Sequence, residues 1–298
     1  MILDDNRNEL LEVNIINKKA TSIAEFGRGP GDIQFPLEMV IHDEMIYVLR
    51  QDMYISIFDC ISEPCTFEDV ISLEFNPASL AFSGDNFAIL GTKIESQTSD
   101  TETEKAPQNS QPIHLIDYSG NQFATFGSMY GVDGHWMLLR PFVMSGDIRF
   151  ASVENSYSLT FKRFPFVYIY DQESLSLTQT YKLTDFLLGK QSYWPDERRL
   201  RNPEDDYTII KNIQIYEGHL LLIETETKTN YRITETSILW DRKFDYYVVD
   251  LTTKKDYYLG NYEYKAEEPG KRVFLTGLGI VIYDEEKGAL FLGSKIEE

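Results

Sequence analysis

Basic side chains, cysteine, histidine and long apolar runs are all scarce in this sequence, and each shortage excludes something. Lys and Arg number 28 against 48 Asp and Glu in 298 residues, a formal net charge of −20. A surface this acidic repels phosphate backbones and anionic lipid alike, and no clustered basic stripe interrupts it, so nucleic acid is not an expected partner. No apolar run approaches the ~20 residues that cross a bilayer. The opening MILDDNRNELLEV also lacks the basic and apolar regions of a signal peptide, so a soluble chain without a membrane span is expected. The four histidines, His42, His114, His135 and His219, show no metal-ligand spacing, and G-x-S-x-G, H-E-x-x-H and P-loop signatures are missing. The two cysteines, Cys60 and Cys65, fall between a segment ending at Asp59 and one beginning near Phe67. A hairpin there brings them within bridging distance. A disulfide and two free thiols both fit, whereas zinc lacks the further ligands it needs.

Aromatic residues are plentiful. Tyr (19) and Phe (18) dominate a 13% aromatic fraction, and such residues favour pleated, half-buried surfaces, so an all-β chain is expected. The hydrophobic fraction of 42% is enough for a core. Residues 25–36, EFGRGPGDIQFP, can be neither helix nor strand interior, because glycine there costs backbone entropy and proline removes a donor. Short alternating segments flank the run, which makes it a turn between strands. A strand ending in Phe26-Gly27, a glycine-rich turn with an acidic residue, an aromatic and Pro36, then a strand, resembles the inter-blade connection of NHL-type six-bladed β-propellers. The fuller Phe-Gly-Arg-Gly-Pro-Gly-Asp form resembles the TolB-like propeller families of gut Bacteroidetes. The resemblance implies a six-bladed β-propeller and leaves function open.

Alternation places strands at 11–15, 21–26, 39–41, 45–49, 54–58 and 70–75, the last four making one blade. A second blade, 79–82, 86–90, 113–117 and 122–126, ends in the same pair, Phe126-Gly127, and is interrupted by the polar stretch 95–111, expected to be a mobile loop. Further groups fall at 142–144, 148–153, 166–170 and 176–181, then at 209–215, 219–224, 246–250 and 256–259. Two C-terminal strands, 279–284 and 289–292, complement two at the N-terminus. The chain is therefore expected to be one propeller domain, 1–298, closed by strands from both termini, with five blades countable against the six that the resemblance implies. Asp59, Asp117, Asp171 and Asp250 each follow an apolar or aromatic run where a hairpin turn begins, and each should accept turn hydrogen bonds.

Connections in a four-stranded blade emerge alternately on two faces. On one they are short (43–44, 84–85, 146–147, 217–218); on the other they are long (27–36, 95–111, 128–141, 184–207, 226–245). Long loops on a rigid scaffold carry binding groups, and all three tryptophans fall in them. The candidate ligand residues are Arg28, His135, Trp136, Arg140, Trp194, Arg198, Arg199, Arg201 and Trp240, which combine area, stacking and directed donors. Arg198, Arg199 and Arg201 would form a positive site for a carboxylate, sulfate or acidic glycan unless they pair with Glu197, Glu204 and Asp205. No catalytic residue, metal ligand or cofactor is assigned.

The expected function is a non-catalytic module that binds a protein, peptide or glycan through the long-loop face, in the periplasm or at the cell surface. The alternative is a metal-dependent hydrolase, lactonase or lyase. Six-bladed propellers similar to gluconolactonases and paraoxonases hold calcium or another divalent ion in the channel. Glu38, Asn76, Asp147 and Asn212 could face inward here, although no lactonase motif surrounds them.

Overall fold

A computed structural model describes residues 2–4, 8–14, 19–27, 29, 31–61, 64–84, 86–93, 111–127, 146–187, 206–233, 238–264, 271–276, 279–284 and 289–292. Among the described residues every regular element is a strand, and no helix is long and apolar enough to cross a membrane. Packing divides the chain into two compact units, Met1–Ile148 and Arg149–Glu298.

In the first unit, β1 (Ile2–Asp4), β2 (Glu9–Asn14) and β3 (Lys19–Ala24) form a three-stranded antiparallel sheet. β4 (Pro36–His42), β5 (Met45–Arg50), β6 (Tyr54–Asp59) and β7 (Thr66–Ser72) form a four-stranded meander. So do β8 (Phe75–Phe82), β9 (Phe87–Lys93), β10 (Ile113–Ile116) and β11 (Gln122–Phe126). The boundary between units falls inside β12 (Gly146–Ala151), which leads a meander with β13 (Ser156–Phe161), β14 (Phe166–Asp171) and β15 (Leu177–Lys182). The second unit continues with β16 (Tyr207–Tyr216), β17 (Leu220–Ile233), β18 (Ile238–Asp250) and β19 (Lys255–Tyr264). Its last sheet is three-stranded: β20 (Lys271–Thr276), β21 (Gly279–Asp284) and β22 (Ala289–Leu292). Antiparallel four-stranded meanders are the blades of a β-propeller, the fold class the sequence leads one to expect.

Strands such as β15 alternate between exposed positions and partly or fully buried ones, whereas β13 is buried throughout. In the first unit Tyr47, Leu49, Ile55 and Ile57 pack against Leu80, Phe82, Phe87 and Ile89. In the second, Val167, Ile169 and Tyr181 pack against Ile210, Ile213, Ile223 and Tyr247. The recurring aspartates are turn residues as expected. Asp59 accepts the Ile61 N–H, Asp117 those of Ser119 and Asn121, Asp171 that of Ser174, and Asp250 those of Thr252 and Thr253. Bonds from Asn121, Ser174 and Thr253 are the main reason that the Asp117, Asp171 and Asp250 carboxyls sit below the usual range. Cys60 and Cys65 are joined in a disulfide.

Three features depart from the sequence reading. Each terminal sheet has three strands, paired within itself among the described residues, where two and two shared in one blade were expected. β20, KRVFLT, had been hidden by its two leading charges. Gly146-Asp147 opens β12 and is not a turn. The turn comes at 152–155, and β13 then follows, disguised by Ser156, Ser158 and Thr160, which read as polar yet are buried. Finally, residues 226–245 are not a long loop but the greater part of a hairpin, because β17 and β18 run on to Ile233 and back from Ile238. Thr225, Thr227 and Thr229 alternate there with Glu224, Glu226 and Lys228, and β-branched residues at every second position are a strand pattern that the polar composition concealed.

Candidate functional site

Of the nine candidate ligand residues, eight lie outside the described residues: Arg28, His135, Trp136, Arg140, Trp194, Arg198, Arg199 and Arg201. The polar stretch 95–111 lies outside them too, apart from Gln111. The ninth candidate, Trp240, is half-buried on β18 and meets the Tyr207 ring edge-on with centroids 5.6 Å apart. It stands at the margin of a charged cluster that sequence reasoning missed.

Strand register builds the cluster. Glu224 lies opposite Asn212 and Tyr246, Glu226 opposite Ile209 and Phe244, and Lys228 opposite Tyr207 and Arg242. These residues and Trp240 share the face of the sheet that carries Leu222 and Val248, while Ile223 and Tyr247 point to the other face. Pairing jumps from Ile210↔Thr225 to Asn212↔Glu224, so Lys211 is the extra residue of a β-bulge. Its ammonium lies 3.5 Å from Glu226 Oε2. Lys228 Nζ lies 3.8 Å from the same oxygen and 5.8 Å from the Tyr207 ring centre, and Arg242 Nη1 lies 3.4 Å from Oε1.

Charge is sorted by depth. Glu224 and Glu226 are only 4% and 1% exposed, whereas the Lys211 and Arg242 side chains keep 46% and 38% of their surface. Burial pushes the Glu224 carboxyl up to about 7; Lys211 opposes the shift and Glu226 adds to it, so desolvation wins. On the opposite face Asp245, 4% exposed, accepts the Tyr258 O–H at 2.8 Å and pairs with Lys243 at 2.9 Å. Asn261 Nδ2 donates to the Tyr258 oxygen at 2.7 Å. The Asp245 bond holds the Lys243 ammonium above its ordinary range, and burial pushes the Tyr247 phenol up to about 12. The root of the hairpin is thus fixed by polar bonds on both faces.

The glycine-rich turn of the first unit is fixed in another way. Asp32 Oδ2 accepts the Gly29 N–H at 2.7 Å, and a Cβ on Gly27 would come within 2.0 Å of that oxygen, so a larger residue there would push the Asp32 carboxylate aside. Arg50 Nη1 donates to the Asp32 carbonyl at 3.4 Å and to Ser56 Oγ at 3.1 Å. Its Nε and Nη2 hold Asp52 at 2.9 and 2.5 Å.

Glu38 holds two donors with one of its two carboxylate oxygens. Its Oε2 accepts the Ser79 O–H at 2.8 Å and the Leu80 N–H at 2.7 Å, and Ser79 Oγ in turn accepts the Ile148 N–H at 3.1 Å. These bonds tie together the first strands of successive sheets, and a cation at that oxygen would have to displace both donors. Among the described residues no group of three or more His, Cys, Asp or Glu is placed to hold a metal ion.

No protein-family profile matches this sequence, and no curated protein does. Solved structures do. A member of the DUF4221 family from Bacteroides vulgatus shares 10% identity with a TM-score of 0.56, over 94% of this chain and 81% of its own. The chain has a β-propeller fold. A functionally unknown protein from Desulfotomaculum acetoxidans shares 6% identity with a TM-score of 0.49, over 97% of this chain and 93% of its own. A candidate 6-phosphogluconolactonase from Bacteroides fragilis shares 10% with a TM-score of 0.44, over 96% and 86%. Likeness at such identities bears on the fold alone.

Proposed function

We propose that this propeller is a non-catalytic binding module that takes the carboxylate or sulfate of an acidic glycan at the root of the β17–β18 hairpin. One observation carries the reading: Lys211, at the bulge of its strand, sets an ammonium 3.5 Å from a buried carboxylate while its side chain stays 46% exposed, in a chain of net charge −20. The buried glutamates hold the lysines and Arg242 in place, and these partly exposed cations present a local positive site. Trp240, half-buried beside it and braced edge-on by the buried Tyr207, supplies ring surface on which a sugar C–H face can lie. Calorimetric titration of a galacturonate oligosaccharide tests the proposal. Lys211→Ala should weaken binding about tenfold or more, a loss of at least ~1.4 kcal/mol, and wild-type affinity in that variant would refute it.

A hydrolase is the second reading, and the Glu224 carboxyl held near 7 beside Glu226 is the observation in its favour, because proton donors are tuned this way. Their burial to 4% and 1% weighs against it, since a substrate atom would have to displace the side chains that cover them. Hydrolysis of lactone or ester substrates by wild type, lost in Glu224→Gln, would favour the enzyme. The finer family assignment, an NHL- or TolB-like propeller of the Bacteroidetes type, belongs to the same proposal and is supported by the turn at 25–36. So does a periplasmic or cell-surface setting, supported by the Cys60–Cys65 disulfide.

A further inference from the structure

Phe35 has a φ of 46° and is the one aromatic among the described non-glycine residues with positive φ. Bulky side chains avoid this left-handed region because Cβ crowds the following carbonyl, so the conformation has to be imposed. Two bonds impose it. The Phe35 N–H donates to Asn8 Oδ1 at 2.7 Å, and the Phe35 carbonyl accepts the Gln51 N–H at 2.9 Å. The clamp does not bury the ring. Phe35 is 53% exposed and meets Phe26, 60% exposed, edge-to-face with centroids 6.5 Å apart. A strained backbone that holds an aromatic pair out in solvent points to a role beyond the fold.

The turn carries two carboxylates and, in sequence, one cation, Arg28. Glu25, exposed, precedes Phe26 and its carbonyl accepts the Ile33 N–H at 3.0 Å, while Asp32 lies within the turn. Arg50, which reaches the turn, has its charge matched by Asp52. Ring faces attract cations, the apolar stems of Lys and Arg cover aromatic surface, and a chain of net charge −20 draws a basic partner while repelling a second copy of itself.

We propose that the Phe26–Phe35 pair is a docking site for a basic peptide segment of a protein partner, with a Lys or Arg side chain lying on the rings and its charged head directed to Glu25 and Asp32. The site is in the first unit, prefers charge opposite to that favoured at the hairpin root, and stands independently of that reading.

The test is fluorescence anisotropy with the full chain and a labelled peptide of alternating arginine and alanine, with the glutamate counterpart as control and spermine as competitor. The arginine peptide should bind in a salt-sensitive way and the glutamate peptide should not. Phe26→Ala and Phe35→Gly should each weaken binding about tenfold or more, and Lys211→Ala should leave it unchanged. Phe35→Gly should melt no lower than wild type, because glycine accepts the imposed φ. Wild-type binding in Phe35→Gly would overturn the proposal, since net charge alone would then explain the affinity. Equal competition by spermine would overturn it in favour of a polyamine, and a lowered melting point in Phe35→Gly would show the ring to be a structural prop.

Discussion

Lys211 and Glu226 meet at 3.5 Å where the strand that carries the lysine holds one residue more than its partner opposes. Counting from Tyr207 and Ile209, alternation keeps position 211 on the Glu226 face, and the extra residue lets Asn212 take that face as well, opposite Glu224, while Ile210 and Ile213 stay with Ile223 on the other. Lys211 completes a group in which buried carboxylates order partly exposed cations.

The Glu224 carboxyl gives this arrangement a pH signature. It titrates near 7 in the fold against an ordinary 4.5, so the folded state binds the proton more tightly than the unfolded state. Stability should then fall as pH rises from 4.5 to 7 and level off above, by about 3 kcal/mol at most. Glu224→Gln cannot ionise, so thermal melts between pH 5 and pH 8 should fall for wild type and stay comparatively flat for the variant. Parallel curves would mean that burial does not hold this proton.

Arg50→Met should cost about 2 kcal/mol or more, because it strands the Asp52 carboxylate and releases the Asp32 carbonyl together with Ser56. Denaturant titration would read the loss. Arg50→Lys should recover only part of it, since an ammonium cannot reproduce the two parallel bonds to Asp52.

Gly91→Ala should destabilise by about 1–3 kcal/mol. The added Cβ would stand 2.6 Å from the Asn76 carbonyl oxygen and 2.6 Å from Phe75 Cδ2. The first is backbone; the second belongs to a buried ring stacked on His114 at 4.0 Å, so neither can move aside freely. A melting temperature unchanged from wild type would contradict the packing at β8–β9.

Reduction of Cys60–Cys65 should lower stability by about 2 kcal/mol, the loop-closure entropy expected for a bridge with a sequence separation of 5. Melts with and without reductant would show the difference, and the Cys60→Ser, Cys65→Ser double variant should match the reduced wild type.

The fold was legible because its signals are local and repeated. Asp59, Asp117, Asp171 and Asp250 mark hairpin turns by their side-chain chemistry, and the pairs Asp43-Glu44 and Glu217-Gly218, both with positive φ, are the tight turns that sit between alternating strands. The site was less so. Trp240 was legible from residue type alone, but its neighbours depend on a register that composition does not encode: whether Glu226 lies opposite Phe244, and whether Lys211 is the bulged residue, is decided across strands. The alternation Glu-Thr-Glu-Thr-Lys-Thr was the available signal. It was outweighed by polarity, because a buried charged row contradicts the rule that strands bury apolar side chains, and only its mutual pairing makes it tolerable. Phe35 was visible as an aromatic beside Pro36, but its left-handed backbone was not, since the bonds that impose it come from Asn8 and Gln51.

The most direct test of the central claim is calorimetric titration of a galacturonate oligosaccharide into wild type and Lys211→Ala at pH 6 and at pH 8. The arrangement at the hairpin root predicts binding by wild type that is tighter at pH 6, where protonated Glu224 leaves the cations less neutralised, and about tenfold weaker binding by Lys211→Ala. Absence of wild-type binding at both pH values, or equal affinity in the variant, would contradict it.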